Sequence, residues 1–372
     1  DTDPAKIEHQ AYKYAQEIAA SMSHQTVRFF VLLVKWLSNK LYDNVETINT
    51  EKVHNLPKNA ELIFLPCHRS HMDYLLVGYL LYKMGFMPPH TAAGNNLNFW
   101  PAGPLLRRGG GFFMKRTFRG NELYKAVFNE YIHYLLRENF SLSFYIEGGR
   151  SRTGRLLSPK IGLLSMVISG YQKRPSRPLY LVPIWVSYSK LVEGHSYLRE
   201  IWGVKKQTES LQRLVKGATF LKSKFGSAYL SFGDPISVED YFQKETENTS
   251  NPIQISRKIG LTVVQRIQQS CVLSPVSFLS TILFATPNSA LAEEDLKKIT
   301  YELKTLLESC PYHQNMHIVS GLFDSWLQKT MEVTGIKRSS HPGGVVIHAP
   351  EEVKPLLAYY RNNSLHIFVL PS

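Results

Sequence analysis

Two short segments hold most of the chemistry this 372-residue sequence can offer. The first is Cys67-His68-Arg69-Ser70-His71-Met72-Asp73. It follows the apolar run 61–66 (ELIFLP) and precedes another from Tyr74 to Met84, so it is expected in a strand-to-helix turn. On one helix His68 and Asp73 would point roughly 140° apart. In a turn they can meet. Asp73 would then accept a hydrogen bond from one imidazole nitrogen and leave the other as a general base. Two alternatives stay open: Asp73 capping the helix beside an ordinary surface histidine, or a metal held by Cys67, His68, His71 and Asp73. Adjacent ligands at 67 and 68 fit no common zinc spacing, and no metal is expected.

The second segment is Glu147-Gly148-Gly149-Arg150-Ser151-Arg152-Thr153-Gly154-Arg155, again after a strand-like run, 141–146 (SLSFYI). Arginine forks grip phosphate oxygens bidentately, and glycines let backbone N–H groups approach closely. This is no Walker loop, because Arg155-Leu156 stands where Lys and Ser or Thr are required. The alternative is an exposed basic turn. Glu147, a carboxylate among arginines, is expected to orient them by ion pairing. A third segment, Arg107 to Arg116 with Arg119 beyond, concentrates cations around Phe112, Phe113 and Met114. It reads either as a second wall of a phosphate site or as a basic loop beside a strand. There is no G-x-S-x-G elbow and no H-E-x-x-H. Nothing in the sequence shows a lowered pKa for the Cys67 thiol, so direct attack by a substrate hydroxyl is preferred to a covalent intermediate.

Something must hold these turns at one edge. From 56 to 245 strand-like and helix-like runs alternate: 61–66, 74–84, 141–146, 179–188 (LYLVPIWVSY) and 228–232 (AYLSF). The pattern predicts an α/β domain, a mixed central sheet flanked by helices, with ligands at strand carboxyl ends. Residues 1–55 read as an N-terminal helical segment. Within it, 27–42 is either an interfacial helix in lipid head groups or a helix packed on the main domain. After a polar linker at 243–256, residues 246–372 read as a mainly helical region. Its expected helices are 257–271, 277–285 and 291–309, with short strands at 344–348 and 365–370.

Composition narrows the class. Hydrophobic and charged shares of 44% and 20% suit a folded protein large enough for two or three regions. The net charge of +13 attracts anions: nucleic acid, acidic lipid, phosphorylated metabolites or an acidic carrier. The basic cluster at 204–224 is read as a solvated helix face or a contact for acidic lipid or carrier. Three scattered cysteines show no disulfide framework and favour a reducing compartment. No apolar run reaches about 18 residues, so no transmembrane helix is expected. With Asp1 rather than Met at its head, the sequence is read as a fragment or as a chain whose start lies outside it.

In this order the segments resemble the glycerol-3-phosphate acyltransferase family. HRSHMD is similar to its first block, GGFFMKR to its second, FYIEGGRSRTGR to its third and LVPIWVSY to its fourth, with Pro183 at the marker position. PPHTAAGNNLNFWPAGP and YYRNNSLHIFVLPS resemble the bacterial membrane-associated type in particular. The likeness runs from about residue 11 to the end.

The resemblance implies His68 as catalytic base with Asp73 as its partner, and Arg150 and Arg152 binding the phosphate of glycerol 3-phosphate. Glu147, Gly148 and Ser151 occupy the other third-block positions linked to activity. Phe113, Lys115 and Arg116 belong to the second block at the same substrate. Lys115 departs from the usual arginine there, which keeps the charge and loses the bidentate fork. Pro183 is implied to be an acyl-site or structural position. No cofactor or metal is implied. Acyl-CoA or acyl carrier protein is the co-substrate, and the 1-hydroxyl of glycerol 3-phosphate is acylated to lysophosphatidic acid. The implied setting is peripheral, on the cytoplasmic face of the inner membrane, against a phospholipid surface and without nucleic acid. The resemblance also implies a sizeable N-terminal region that this chain lacks. Alternatives are another acceptor such as dihydroxyacetone phosphate or lysophosphatidate, a basic nucleic-acid binder, and a phosphatase with His68 as nucleophile.

Overall fold

The computed structural model describes residues 3–118, 120–173, 175, 177–194, 197, 223–245 and 252–368. Arg119 and most of the basic cluster at 204–224 lie outside the described residues.

The long apolar runs form the centre of an eight-stranded sheet. Strands β1 (Asn44–Ile48), β2 (Glu61–Pro66), β3 (His90–Gly94), β4 (Gly111–Met114), β5 (Leu142–Ser143), β6 (Leu179–Tyr188) and β7 (Ser227–Phe232) lie in the order β1-β7-β6-β2-β5-β3-β4. A two-residue strand, β8 (Ile236–Ser237), pairs with β6. β2, β5, β3 and β4 run parallel, as does β6 beside β2, while β7 is antiparallel to β6. Every residue of β2 is buried, as a strand covered on both faces requires. Because five strands share one direction, the turns after β2, β4, β5 and β6 emerge at the same edge.

Pro183 lies inside β6, where a proline would normally interrupt the ladder. The far side of β6 is paired to β8 at Tyr180 and Leu181 and to β7 from Ile184 onward. Pro183 falls between the two, and its carbonyl accepts from the Gly233 N–H at 2.9 Å. Its missing N–H therefore falls at a handover between partners. This is a structural position inside the sheet.

Helices cover the sheet. α1 (Pro4–Ile18) packs on α6 (Glu122–Arg137) and β4, and α2 (His24–Leu41) packs on α4 (Asp73–Lys83). The inner face of α2 buries Val27, Val34 and Leu41, while Phe29, Leu32 and Trp36 are 53%, 67% and 53% exposed. α2 thus combines a packed face with an uncovered apolar one. The short α3 (Glu51–His54) follows β1, α5 (Ala102–Arg108) precedes β4, and α7 (Ile161–Lys173) precedes β6.

The main core runs past residue 246. α8 (Val238–Glu245) follows β8, and α9 (Pro252–Gln269) contributes Ile255, Ile259, Val263 and Ile267 to the core against α7 and β6. A second core gathers Phe278, Leu279, Leu296, Phe323 and Trp326 from α10 (Pro275–Phe284), α11 (Glu293–Ser309) and α12 (Phe323–Thr334). A small antiparallel sheet of Ala290–Ala292, Gly344–His348 and Lys337–His341 accompanies it. The chain then forms α13 (Lys354–Phe368).

Three expectations are corrected. Residues 44–48, read as helical, form β1 and pair with β7. The basic segment around 111–114 contains an edge strand, β4. The run at 365–370, read as a strand for its apolar and branched residues, is helical through Phe368. There α13 packs against α10, and Leu357, Tyr360 and Ser364 are buried on one face. Tertiary burial outweighs local propensity at this point.

Candidate active site

His68 leaves the carboxyl end of β2, and Asp73 opens α4 five residues later. The turn between them is closed by the Asp73 carboxylate, which is fully buried. Its Oδ2 accepts from His68 Nδ1 at 2.7 Å, from the Arg69 N–H at 2.6 Å and from the Ser70 N–H at 3.0 Å. Its Oδ1 accepts from the Tyr188 hydroxyl at 2.5 Å. Burial and the facing Asp73 charge push the Tyr188 phenol well above its ordinary value, so it remains a donor. Asp73 thus fixes the His68 tautomer with Nδ1–H donating. Nε2 makes no hydrogen bond among the described residues, which leaves a lone pair for proton transfer. The Tyr145 ring stacks on the imidazole at 4.0 Å between centroids, and Tyr74 meets it edge-on at 5.8 Å.

The arginine turn after β5 is bonded directly to this one. Glu147 Oε1 accepts from the His68 N–H at 2.8 Å, and the Ser151 N–H donates to the His68 carbonyl at 2.9 Å. The second Glu147 oxygen accepts from the Leu157 N–H at 2.7 Å. Burial pushes the Glu147 carboxyl above its ordinary value, against the pull of Arg69 and the two amides. This corrects the expected ion pairing: Glu147 braces backbone, including that of the imidazole, and makes no salt bridge to Arg150 or Arg152. Gly148 sits at φ +66°, where only a residue without a Cβ turns freely.

Other contacts shape the arginine turn. Ser151 Oγ donates to the Arg155 carbonyl at 2.5 Å. The buried Arg69 guanidinium donates to the Gly154 and Arg155 carbonyls at 2.9 and 3.2 Å and lies over the Trp185 ring. From outside, α13 closes on the turn: Asn362 donates to the Thr153 carbonyl at 2.7 Å, and a Cβ at Gly154 would meet the Tyr359 carbonyl. Arg150 Nη1 donates to the Tyr197 hydroxyl at 3.1 Å and faces Glu193 Oε1 at 3.5 Å. Arg152, half-buried, flanks Ser151.

The second block is placed differently. β4 lies three strands from β2, about 14 Å at ordinary strand spacing. Lys115 is 3.2 Å from Glu17 and lies over the Tyr14 and Tyr124 rings, so it ties α1 to the sheet. Phe113 is buried beneath the Arg107 guanidinium at 4.7 Å and belongs to the packing. Phe113 offers no free surface to substrate, while the Lys115 side chain is 36% exposed. Arg116 is exposed at the same sheet edge.

Cys67 is not placed for nucleophilic chemistry. It is fully buried, its sulfur accepts from the Val186 N–H at 3.1 Å, and burial pushes its thiol up to about 12. The His71 ring is bonded to the Tyr74 hydroxyl. The four groups considered as metal ligands are therefore engaged with other partners.

A family model described as Acyltransferase matches residues 47–187, and one described as Glycerol-3-phosphate acyltransferase C-terminal region matches 197–372. Proteins named glycerol-3-phosphate acyltransferase from Shewanella loihica (strain ATCC BAA-1088 / PV-4) and Pseudomonas putida (strain W619) are 39% and 37% identical. Each match covers 99% of this chain. The chain belongs to the glycerol-3-phosphate acyltransferase family. It spans about half the length of these relatives, 47% and 46%. A crystal structure of a 1-acyl-sn-glycerophosphate acyltransferase from Thermotoga maritima aligns with TM-score 0.37 and 17% identity over 72% of this chain and 83% of its own.

Within this chain, sequence reasoning missed Tyr145, Tyr188, Glu193 and Tyr197. Tyr145 and Tyr188 read as strand residues. Glu193 lies in the turn after β6 and Tyr197 shortly beyond it, and a carboxylate just beyond a central strand's carboxyl end was the available signal.

Proposed function

We propose that this chain transfers a fatty acyl group from a thioester, acyl-CoA or acyl carrier protein, to the 1-hydroxyl of glycerol 3-phosphate, giving lysophosphatidic acid. The observation that supports it best is the pair of hydrogen bonds joining the His68 backbone to Glu147 and Ser151. They place a histidine–aspartate pair beside an arginine turn.

In this reading His68 Nε2 takes the proton of the substrate hydroxyl as its oxygen attacks the thioester carbonyl. The tetrahedral intermediate collapses with loss of the C–S bond, and His68 returns the proton to the leaving thiolate. Asp73 holds the tautomer and stabilises the imidazolium, as in other histidine–carboxylate pairs. Arg150 and Arg152 bind the phosphate, which converts remote binding into orientation of the hydroxyl. Arg116 adds positive potential along the edge. Neither metal nor cofactor has a step.

The protein works at a phospholipid surface as a peripheral enzyme on the cytoplasmic face of the inner membrane. The exposed Phe29, Leu32 and Trp36 of α2, with Arg28 and Lys35 on the same helix, support that placement. Among the described residues no helix is long and apolar enough to cross a membrane.

Steady-state kinetics test the assignment. Arg152→Ala is expected to raise the KM for glycerol 3-phosphate by about tenfold or more and leave that for the acyl donor within about twofold. Equal losses for both substrates would refute the phosphate role.

A further inference from the structure

Glu193 is a buried carboxylate just beyond the carboxyl end of β6, outside all four blocks quoted for the family likeness. Its Oε2 accepts from the Ser70 hydroxyl at 2.8 Å, and its Oε1 accepts from the His71 N–H at 2.8 Å. The same Oε1 faces Arg150 Nη1 at 3.5 Å, in an ion pair with side chains 7% and 6% exposed. One carboxylate therefore holds the turn that carries the imidazole and the first arginine of the anion turn. Tyr197 closes the loop: its hydroxyl accepts from Arg150 and donates to the Arg69 carbonyl at 3.1 Å. Ser70 Oγ also accepts from the Met72 N–H at 3.1 Å, so the chain of contacts reaches the start of α4.

We propose that Glu193 is a positioning residue for the acceptor, setting Arg150 at a fixed distance from the His68 turn so that a bound phosphate presents its hydroxyl to the base. This rests on the acyl-transfer reading above. A guanidinium buried without a counter-charge is costly and would shift toward solvent. Paired with Glu193, it stays in place before substrate arrives. The Glu147 contacts set the imidazole against the loop backbone. The Glu193 contacts set it against the arginine side chain, which is the part that would touch substrate. Glu193 touches neither reacting atom, so its effect runs through Arg150 and appears in acceptor binding rather than in the chemical step.

Glu193→Gln in the intact protein keeps the side-chain shape and one acceptor oxygen but removes the charge facing Arg150. The KM for glycerol 3-phosphate should rise about tenfold, kcat should fall no more than about threefold, and the acyl-donor KM should stay put. Glu193→Asp restores the charge and should recover part of the loss. Made on an Arg150→Gln background, Glu193→Gln should change the acceptor KM less than about twofold further, because its route of action is already gone. Circular dichroism reports whether each variant is folded. If Arg150→Gln does not fold, recovery by Glu193→Asp remains the deciding readout.

An unchanged acceptor KM in Glu193→Gln, additive effects with Arg150→Gln, or both KM values and kcat shifting together would overturn the proposal. His68→Ala in the same assay separates this from the underlying reading. If His68→Ala transfers like wild type, acyl transfer by this base is wrong. Calorimetric binding of glycerol 3-phosphate to Glu193→Gln then judges the positioning role without turnover.

Discussion

Asp73 has no exposure to solvent, and its two oxygens take four hydrogen bonds, one from the imidazole it serves. Asp73→Asn can keep an oxygen where Oδ2 stands, and Tyr188 can rotate to accept from the new amide. The turn should therefore hold its shape while the charge behind the imidazole disappears. Turnover should fall by about 10²–10⁴-fold with the acceptor KM within about threefold, read from steady-state kinetics. Residue types at strand ends made His68, Asp73 and the arginines legible in the sequence. The charge of Lys115 is visible in sequence and its partners are not: Glu17, Tyr14 and Tyr124 come from elsewhere in the chain. Glu147 misled because its partners are likewise remote. Its neighbours are arginines, yet its oxygens bond backbone amides at 68 and 157.

Long apolar elements were readable and short or composite ones were not. β2 and β6 announce themselves as continuous apolar runs buried on both faces. β1 lies at the edge of the sheet with Asn, Glu and Thr among its five residues, and its register comes from β7, more than 170 residues away. β4 hides among cations because only Phe112 and Phe113 of its four residues are buried. Element α2 admitted two readings in sequence, packed or interfacial, and its two faces account for both. If the outer face meets lipid, Leu32→Glu combined with Trp36→Glu should cut sedimentation with anionic phospholipid vesicles by about tenfold or more. Turnover of a short-chain soluble donor should remain unchanged, since neither side chain belongs to the core or the site. Undiminished sedimentation would place the lipid contact elsewhere.

Across the whole molecule, two cores meet around the C-terminal helix, which contributes Tyr359 and Tyr360 to one and Leu357 to the other. Two histidines buried in this fold make stability depend on pH. Burial holds His90 and His366 each down to about 4. Their folded values lie below the ordinary value near 6.5. The stability they contribute as neutral groups is therefore complete above pH 6.5 and is lost as pH falls through that range toward about 4. Each accounts for up to roughly 3 kcal/mol at the acid limit. Thermal midpoints should fall between pH 7 and 4.5, and His90→Phe should lose less across that interval than the parent protein. A parallel fall in both would assign the acid sensitivity to other groups.

The central claim is that an imidazole supported by a buried carboxylate, and bonded through its backbone to an arginine turn, moves the acceptor's proton. The most direct measurement pairs single-turnover acyl transfer with calorimetric binding of glycerol 3-phosphate in His68→Ala. Transfer should fall by at least about 10³-fold while acceptor binding stays within about threefold and the protein remains folded. Transfer near the wild-type rate, or loss of binding in a folded variant, would contradict it.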